Sequence, residues 1–306
     1  MRRLTALLVA PWLALCGTAA FAQEEPPVEL AGTLLQARTS GAVTIAYRES
    51  SIPFSYLSAR GEPIGYSIDL CRRLVEAMSV AVSRELGIKW LAVTSESRID
   101  AIASGKADLE CGSTTNNLDR QKQVGFTNTY FVTANRYVAK KASNIKSLAD
   151  LKGKTIVSTA GTTNIKQITE INAAQNLGMN IISANGHPEA FQMVETGRAV
   201  AFVMDDILLA GLAAQSRSPN DYEISADALS VEPYGIMVRK DDKAFKAVVD
   251  KAMSAVYTSG QINAIYSKWF ENPVPPKNIN LSLPMGAAFK KVVAKPTDSG
   301  DPKAYE

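Results

Sequence analysis

Short apolar runs and helix-period stripes take turns along the chain, the pattern of an α/β protein. The first strand is predicted over 42–47, where Val43 and Ile45 lead into the polar run Arg48-Glu49-Ser50-Ser51. A turn at Gly61 to Gly65 opens a helix carrying Leu70, Leu74, Val75 and Met78 on one face. A strand over 88–93 then runs into Thr94-Ser95-Glu96-Ser97-Arg98, with Ser95 placed to cap a helix over 98–104. A cation in the first turn opposes the helix dipole, so helix stability does not account for Arg98. A strand over 109–111 ends in Gly112-Ser113-Thr114-Thr115-Asn116-Asn117 and then Arg120. Such a loop is poor core material but offers short donors and acceptors to a small polar ligand.

From Phe126 through Tyr130 to Lys140 the chain reads as an extended connector, followed by a short helix over 145–153 with a glycine stop. There the pattern restarts. A strand over 154–159 feeds Ala160-Gly161-Thr162-Thr163 and a helix from Asn164, echoing the first strand and its Arg48 loop. The stretch 190–199 and the apolar run 200–204 echo 98–107 and the strand after it; aligning Gly105 with Gly197 sets Ser113 opposite Asp205. A helix from Asp206 follows, and the strand Ile236-Met237-Val238-Arg239 is expected to return to the first lobe. Amphipathic helices over 245–257 and 261–270 close the pattern, stopped by Asn272-Pro273-Val274-Pro275-Pro276. The division expected is 23–132 and 235–275 in lobe 1, 133–234 in lobe 2, and an extended tail over 276–306 whose last ten residues are disordered.

At 306 residues the chain suits two domains of ordinary size. Arg2 and Arg3, the apolar run after them and Ala20-Phe21-Ala22 mark residues 1–22 as a secretory signal peptide cut after Ala22. That run is too short for a membrane span, and Leu15 before Cys16 does not suit lipidation. Without the leader the chain carries 31 basic and 30 acidic groups, no footprint for nucleic acid or a membrane surface. A soluble periplasmic monomer is expected. Export makes a disulfide between Cys71 and Cys111 possible. Two cysteines and one histidine suit neither a zinc site nor a Cys–His nucleophile, so no metal or cofactor is expected.

A cleft between two such lobes would receive Arg48, Ser95, Arg98, Ser113, Thr115 and Arg120 from one side and Thr163, His187 and Asp205 from the other. The set suits an acidic α-amino acid: the arginine fork matches carboxylates, an ammonium needs an acid such as Asp205, and the Gly161-Thr162-Thr163 turn offers N–H groups to an anion. Each residue also has a plainer reading. Asp205 and Asp206 could cap a helix, His187 could sit solvated in its turn, and Arg120 could lie on the surface.

The motifs around Arg48, Gly65-Tyr66-Ser67, Thr94-Ser95-Glu96-Ser97-Arg98, the 110–117 loop, Gly161-Thr162-Thr163, the 198–206 segment and 272–278 resemble those of the periplasmic glutamate/aspartate-binding components of bacterial ABC importers. The resemblance spans about 34–280. It implies a two-lobed periplasmic binding fold of type II with a two-crossover hinge, and delivery of L-glutamate or L-aspartate to an inner-membrane permease. It further implies that Arg98, Ser113, Thr115 and Thr163 hold the α-carboxylate and Asp205 the α-ammonium. Arg48, Ser95, Arg120 and His187 would meet the distal carboxylate. Ile236 stands where some relatives carry cysteine. Rival expectations are a binder of glutamine or another polar amino acid, a cyclohexadienyl dehydratase on the same fold, and a sensor domain.

Overall fold

The computed structural model describes residues 30–306, so the expected leader at 1–22 lies outside the described residues. Helix α1 (Gly32–Ser40) buries Leu34 and Ala37 and leads into β1 (Ala42–Tyr47). Three short strands, β2 (Ser50–Ser51), β3 (Ser55–Leu57) and β4 (Pro63–Ile64), form a small antiparallel sheet. Helix α2 (Tyr66–Ala81) buries Leu70, Leu74, Val75 and Met78, the face that their spacing predicts. After it come β5 (Gly87–Ala92), α3 (Arg98–Ala103), β6 (Leu109–Cys111) and β7 (Val124–Phe126). Because β5 and β6 both run parallel to β1, the carboxyl ends of all three point one way. That shared edge carries Arg48, Ser95 and Ser113, the location at which open α/β sheets bind ligands. A Cys71–Cys111 disulfide ties α2 to the end of β6, where the polar loop begins.

The next segment differs from expectation. Residues Phe131–Lys140 form β8, a central strand of a second sheet rather than a connector, so the division expected at 133 falls inside a strand. The expected helix before Gly153 is a 3₁₀ turn over Leu148–Leu151, closed by a Ser147/Asp150 capping box. Then β9 (Thr155–Thr159), α4 (Thr163–Ala174), β10 (Asn180–Ala184), α5 (His187–Glu195) and β11 (Ala201–Asp205) follow. Strands β10 and β11 flank β9 in parallel, as β5 and β6 flank β1, and Gly105 and Gly197 share a φ of 76°. The internal echo in the sequence is thus a repeated topology, with Thr162, His187 and Asp205 at the matching edge. Helix α6 (Asp206–Gln215) and strands β12 (Tyr222–Ile224) and β13 (Ser230–Tyr234) complete this sheet.

Strand β14 (Met237–Arg239) returns to the first sheet between β6 and β7, as the run from Ile236 predicts. The two crossings lie side by side: Phe131 is paired with Tyr234, and the Tyr130 N–H donates to the Tyr234 carbonyl. Helices α7 (Lys243–Thr258) and α8 (Gln261–Phe270) pack on the first lobe, where Phe54, Phe131 and Phe270 gather with ring centroids 4.9–5.6 Å apart.

The tail is not the disordered extension that its position after five residues rich in proline suggests. It forms α9 (Ala287–Ala294), with Phe289 and Val292 buried, and ends in a 3₁₀ turn over Pro302–Tyr305 with Tyr305 only 3% exposed. Thr129 N–H donates to the Thr297 carbonyl, and Asn116 and Gln121 donate their amides to the Asp298 carbonyl. Terminal segments are ordered when tied down in this way. The Tyr305 hydroxyl lies 2.8 Å from Thr129 Oγ1 and donates to Ser299 O at 2.7 Å. Tyr305→Phe is therefore expected to lower stability by about 1–2 kcal/mol, read by thermal melting. An unchanged melting temperature would mean that this strap is not held in solution.

Candidate functional site

Sheet topology brings the nine expected residues to the line where the two sheets face each other. Arg48 follows β1, Ser95 follows β5, and Arg98 opens α3. Ser113, Thr115 and Arg120 belong to the loop after β6; Thr163 opens α4, His187 opens α5, and Asp205 ends β11. All but Thr163 are buried, and Thr163 is partly so. Ser95, Arg98, Ser113, Thr115, Thr163, His187 and Asp205 line one small cavity of about 10 Å³. Arg48 sits beside it, 3% exposed, and Arg120 spans its rim. The Arg120 Nη1 donates to the Thr115 carbonyl at 2.8 Å and its Nη2 to the Gly161 carbonyl at 3.3 Å, one partner in each lobe.

Other contacts close the cleft. Thr115 Oγ1 lies 3.5 Å from Thr163 Oγ1, and Lys166 pairs with Asp119 at 3.0 Å. Gly161 has a φ of 70°, and a Cβ there would come within 2.7 Å of the Glu96 backbone. A side chain at this position would prop the lobes apart as well as strain the turn.

Among the described residues seven buried side-chain polar atoms lack a hydrogen-bond partner, and five of them belong to the nine: Arg48 Nη1, Ser95 Oγ, Arg98 Nε, Ser113 Oγ and His187 Nε2. Burying such groups unpaired costs about 1–3 kcal/mol each, so their concentration at one cavity calls for a polar occupant. Ser95 is one of them, which corrects the expectation that it caps α3. Ser97 occupies the N-cap of α3 and accepts from the Thr94 N–H at 3.0 Å, leaving Ser95 turned into the cavity.

Charge in the site is divided. Arg48 is pulled down to about 9 by burial first and the Arg98 guanidinium second; Arg120 is pulled down to about 9 by the same two causes. Burial, then Arg48, then Arg98 hold His187 well below the usual imidazole value, so it is neutral, with Nδ1 2.9 Å from Thr159 Oγ1. Across the cavity burial and then Glu232 raise Asp205 to about 7, although Tyr234 and Asn164 both donate to its carboxylate. Cations crowd one wall and an acid stands on the other. An anion stabilises the first wall and an ammonium the second.

Several polar partners were not among the expected residues. Glu110, fully buried in β6, accepts from the Thr114 hydroxyl at 2.7 Å, and that hydroxyl accepts from Arg98 Nη1 at 2.6 Å. A carboxylate between Leu109 and Cys111 was the readable signal for it. Asn164, Glu232 and Tyr234 surround Asp205; only Asn164, directly after Gly161-Thr162-Thr163, lies next to a recognised motif. No cluster of three or more metal-ligating side chains occurs among the described residues.

Comparisons with known proteins bear on the family and the fold. The L-glutamate/L-aspartate-binding protein of Pseudomonas aeruginosa is 50% identical over 272 residues, 88% of this chain and 90% of its own length. The glutamate/aspartate import solute-binding protein of Escherichia coli is 42% identical over 288 residues, 94% of this chain and 95% of its own. The solved structure of an ancestral arginine-binding protein bound to arginine has a TM-score of 0.69 at 28% identity, covering 75% of this chain and 98% of that one. The fold is the two-lobed type II arrangement of periplasmic amino-acid-binding proteins, with the cleft between the lobes. Residues 43–272 match the family description, and the chain belongs to the bacterial extracellular solute-binding proteins, family 3.

Proposed function

We propose that this protein captures L-glutamate or L-aspartate between its lobes and delivers it to an ABC importer permease, acting as a monomeric binding protein in the periplasm and not as an enzyme. The observation that carries the reading is the convergence of unpartnered buried donors on one cavity, with cations on one wall and Asp205 opposite. Arg98 takes the α-carboxylate through its free Nε, helped by Ser113, Thr115 and the N–H groups at the start of α4 beside Thr163. Asp205 takes the α-ammonium. Arg48, Ser95 and the neutral His187 meet the distal carboxylate, and Arg120 completes that wall while bridging the lobes. A bound amino acid touches both lobes at once, so its binding energy favours the closed state that a permease would recognise.

The names of the relatives from Pseudomonas aeruginosa and Escherichia coli support the same ligand pair. A cationic side chain, as in arginine, would meet Arg48 and Arg120 with like charge. The leader read over 1–22 supports export. A thermal-shift panel of L-amino acids is expected to give its largest stabilisation with glutamate and aspartate. Stabilisation by arginine or glutamine but not by glutamate would overturn the assignment.

A further inference from the structure

Behind the cavity wall that holds Asp205 lies a second buried carboxylate. Glu232, 1% exposed on β13, accepts from Thr163 Oγ1 at 2.9 Å through one oxygen. Its other oxygen accepts from Gln167 Nε2 at 2.7 Å and from the Ser230 hydroxyl. The bonds continue without a break. Gln167 Oε1 accepts from Asn135 Nδ2 at 2.7 Å, and Asn135 Oδ1 accepts from Asn164 Nδ2 at 2.8 Å. The same Asn164 nitrogen donates to Asp205 Oδ1 at 2.7 Å. With its oxygen committed to Asn135, the Gln167 amide can only present N–H to Glu232 Oε1, and Glu232 as a carboxylate has no proton to offer Thr163 from Oε2.

That arrangement decides the polarity of the Thr163 hydroxyl. A hydroxyl has one proton and two lone pairs. Its proton goes to Glu232, so the oxygen facing the cavity and Thr115 has only lone pairs to offer. Such an oxygen cannot donate to a carboxylate, but it can accept from an ammonium. We propose that Glu232 is a positioning residue for amino-group recognition: it turns Thr163 Oγ1 into an acceptor, so that Thr163 and Asp205 together select ligands bearing an ammonium. The inference rests on the reading of the cavity as an acidic amino-acid site and adds a discrimination that Asp205 alone does not supply. Thr163 then has two functions, with its N–H side toward the α-carboxylate and its hydroxyl oxygen toward the ammonium.

The test compares L-glutamate with glutarate, which keeps both carboxylates and lacks the ammonium, by calorimetry and by competition. The unsubstituted protein is expected to prefer glutamate. Thr163→Val removes the acceptor at nearly constant volume and is expected to narrow the glutamate-to-glutarate ratio by about tenfold, the effect of one hydrogen bond to a charged group. Glutarate serves as the reference ligand measured on the same variant, and thermal melting with and without it checks separately that the variant folds and binds. Glu232→Gln should narrow the ratio in the same direction, and Thr163→Ser should keep it. An unchanged ratio in both Thr163→Val and Glu232→Gln, with Asp205→Asn abolishing the preference, would overturn this inference and leave the proposed function standing. Failure of the unsubstituted protein to bind glutamate would overturn both.

Discussion

Replacing Arg98 with alanine is expected to weaken glutamate binding by about 2–5 kcal/mol, about 30-fold to 5,000-fold in Kd, the usual cost of stranding one member of a buried charge pair. Arg98 is 2% exposed; its Nη1 is held by Thr114 Oγ1 at 2.6 Å and Ser113 O at 3.3 Å, while Nε has no partner. Glu110 fixes this geometry by accepting from Thr114. A guanidinium clamped on one side and free on the other is preorganised for a carboxylate, so little ordering cost falls on the ligand. Arg98→Lys should not rescue the site, because an ammonium cannot reproduce the planar fork. In the free protein the removal has opposing effects: it relieves the repulsion that lowers the Arg48 and Arg120 values, but it takes a donor from Thr114 Oγ1 and Ser113 O. Calorimetry decides the matter, and a glutamate Kd unchanged in Arg98→Ala would sink the assignment.

The strand-end residues were legible because each follows an apolar run that stops abruptly at polar side chains, as at Arg48 and in the 112–117 loop, and because the second half repeats the first. Strand β8 was not. It carries Asn135 and Arg136 in its middle, which reads as a connector, yet Arg136 Nε pairs with Asp206 at 3.2 Å and Asn135 joins the Glu232 network. The cap of α3 was ambiguous in principle, since Thr94, Ser95 and Ser97 all carry hydroxyls and only the cleft distinguishes the one that faces it. The tail was misread for a related reason. Tyr305 gains its order from Thr129 and Ser299, partners that no local pattern reveals. Glu110 and Glu232 show the same limit: a buried carboxylate is tolerable only with its donors in place, and those donors come from distant stretches.

Asp205→Asn is expected to cost about 2–5 kcal/mol of glutamate affinity and to abolish the pH dependence expected of the unsubstituted protein. The sign follows from the free and bound states. Asp205 stands at about 7 in the ligand-free site, raised by burial and then by Glu232. An ammonium beside it favours the ionised form, so its value falls on binding and a proton is released. Affinity should be flat above about pH 7 and fall by up to tenfold per unit below it, until the bound-state value is reached. In the ligand-free protein the trend is reversed: a carboxyl raised from 3.8 to about 7 costs stability as pH climbs through that interval, and saturating glutamate should remove the loss. In the ligand-free site burial and then Arg48 and Arg98 hold the His187 value well below that of a free imidazole. Calorimetry from pH 5 to 8, in buffers of different ionisation enthalpy, counts the proton directly. A Kd constant from pH 5 to 8 would mean that Asp205 takes up no proton in this window, and a glutamate Kd unchanged in Asp205→Asn would remove it from the ammonium site.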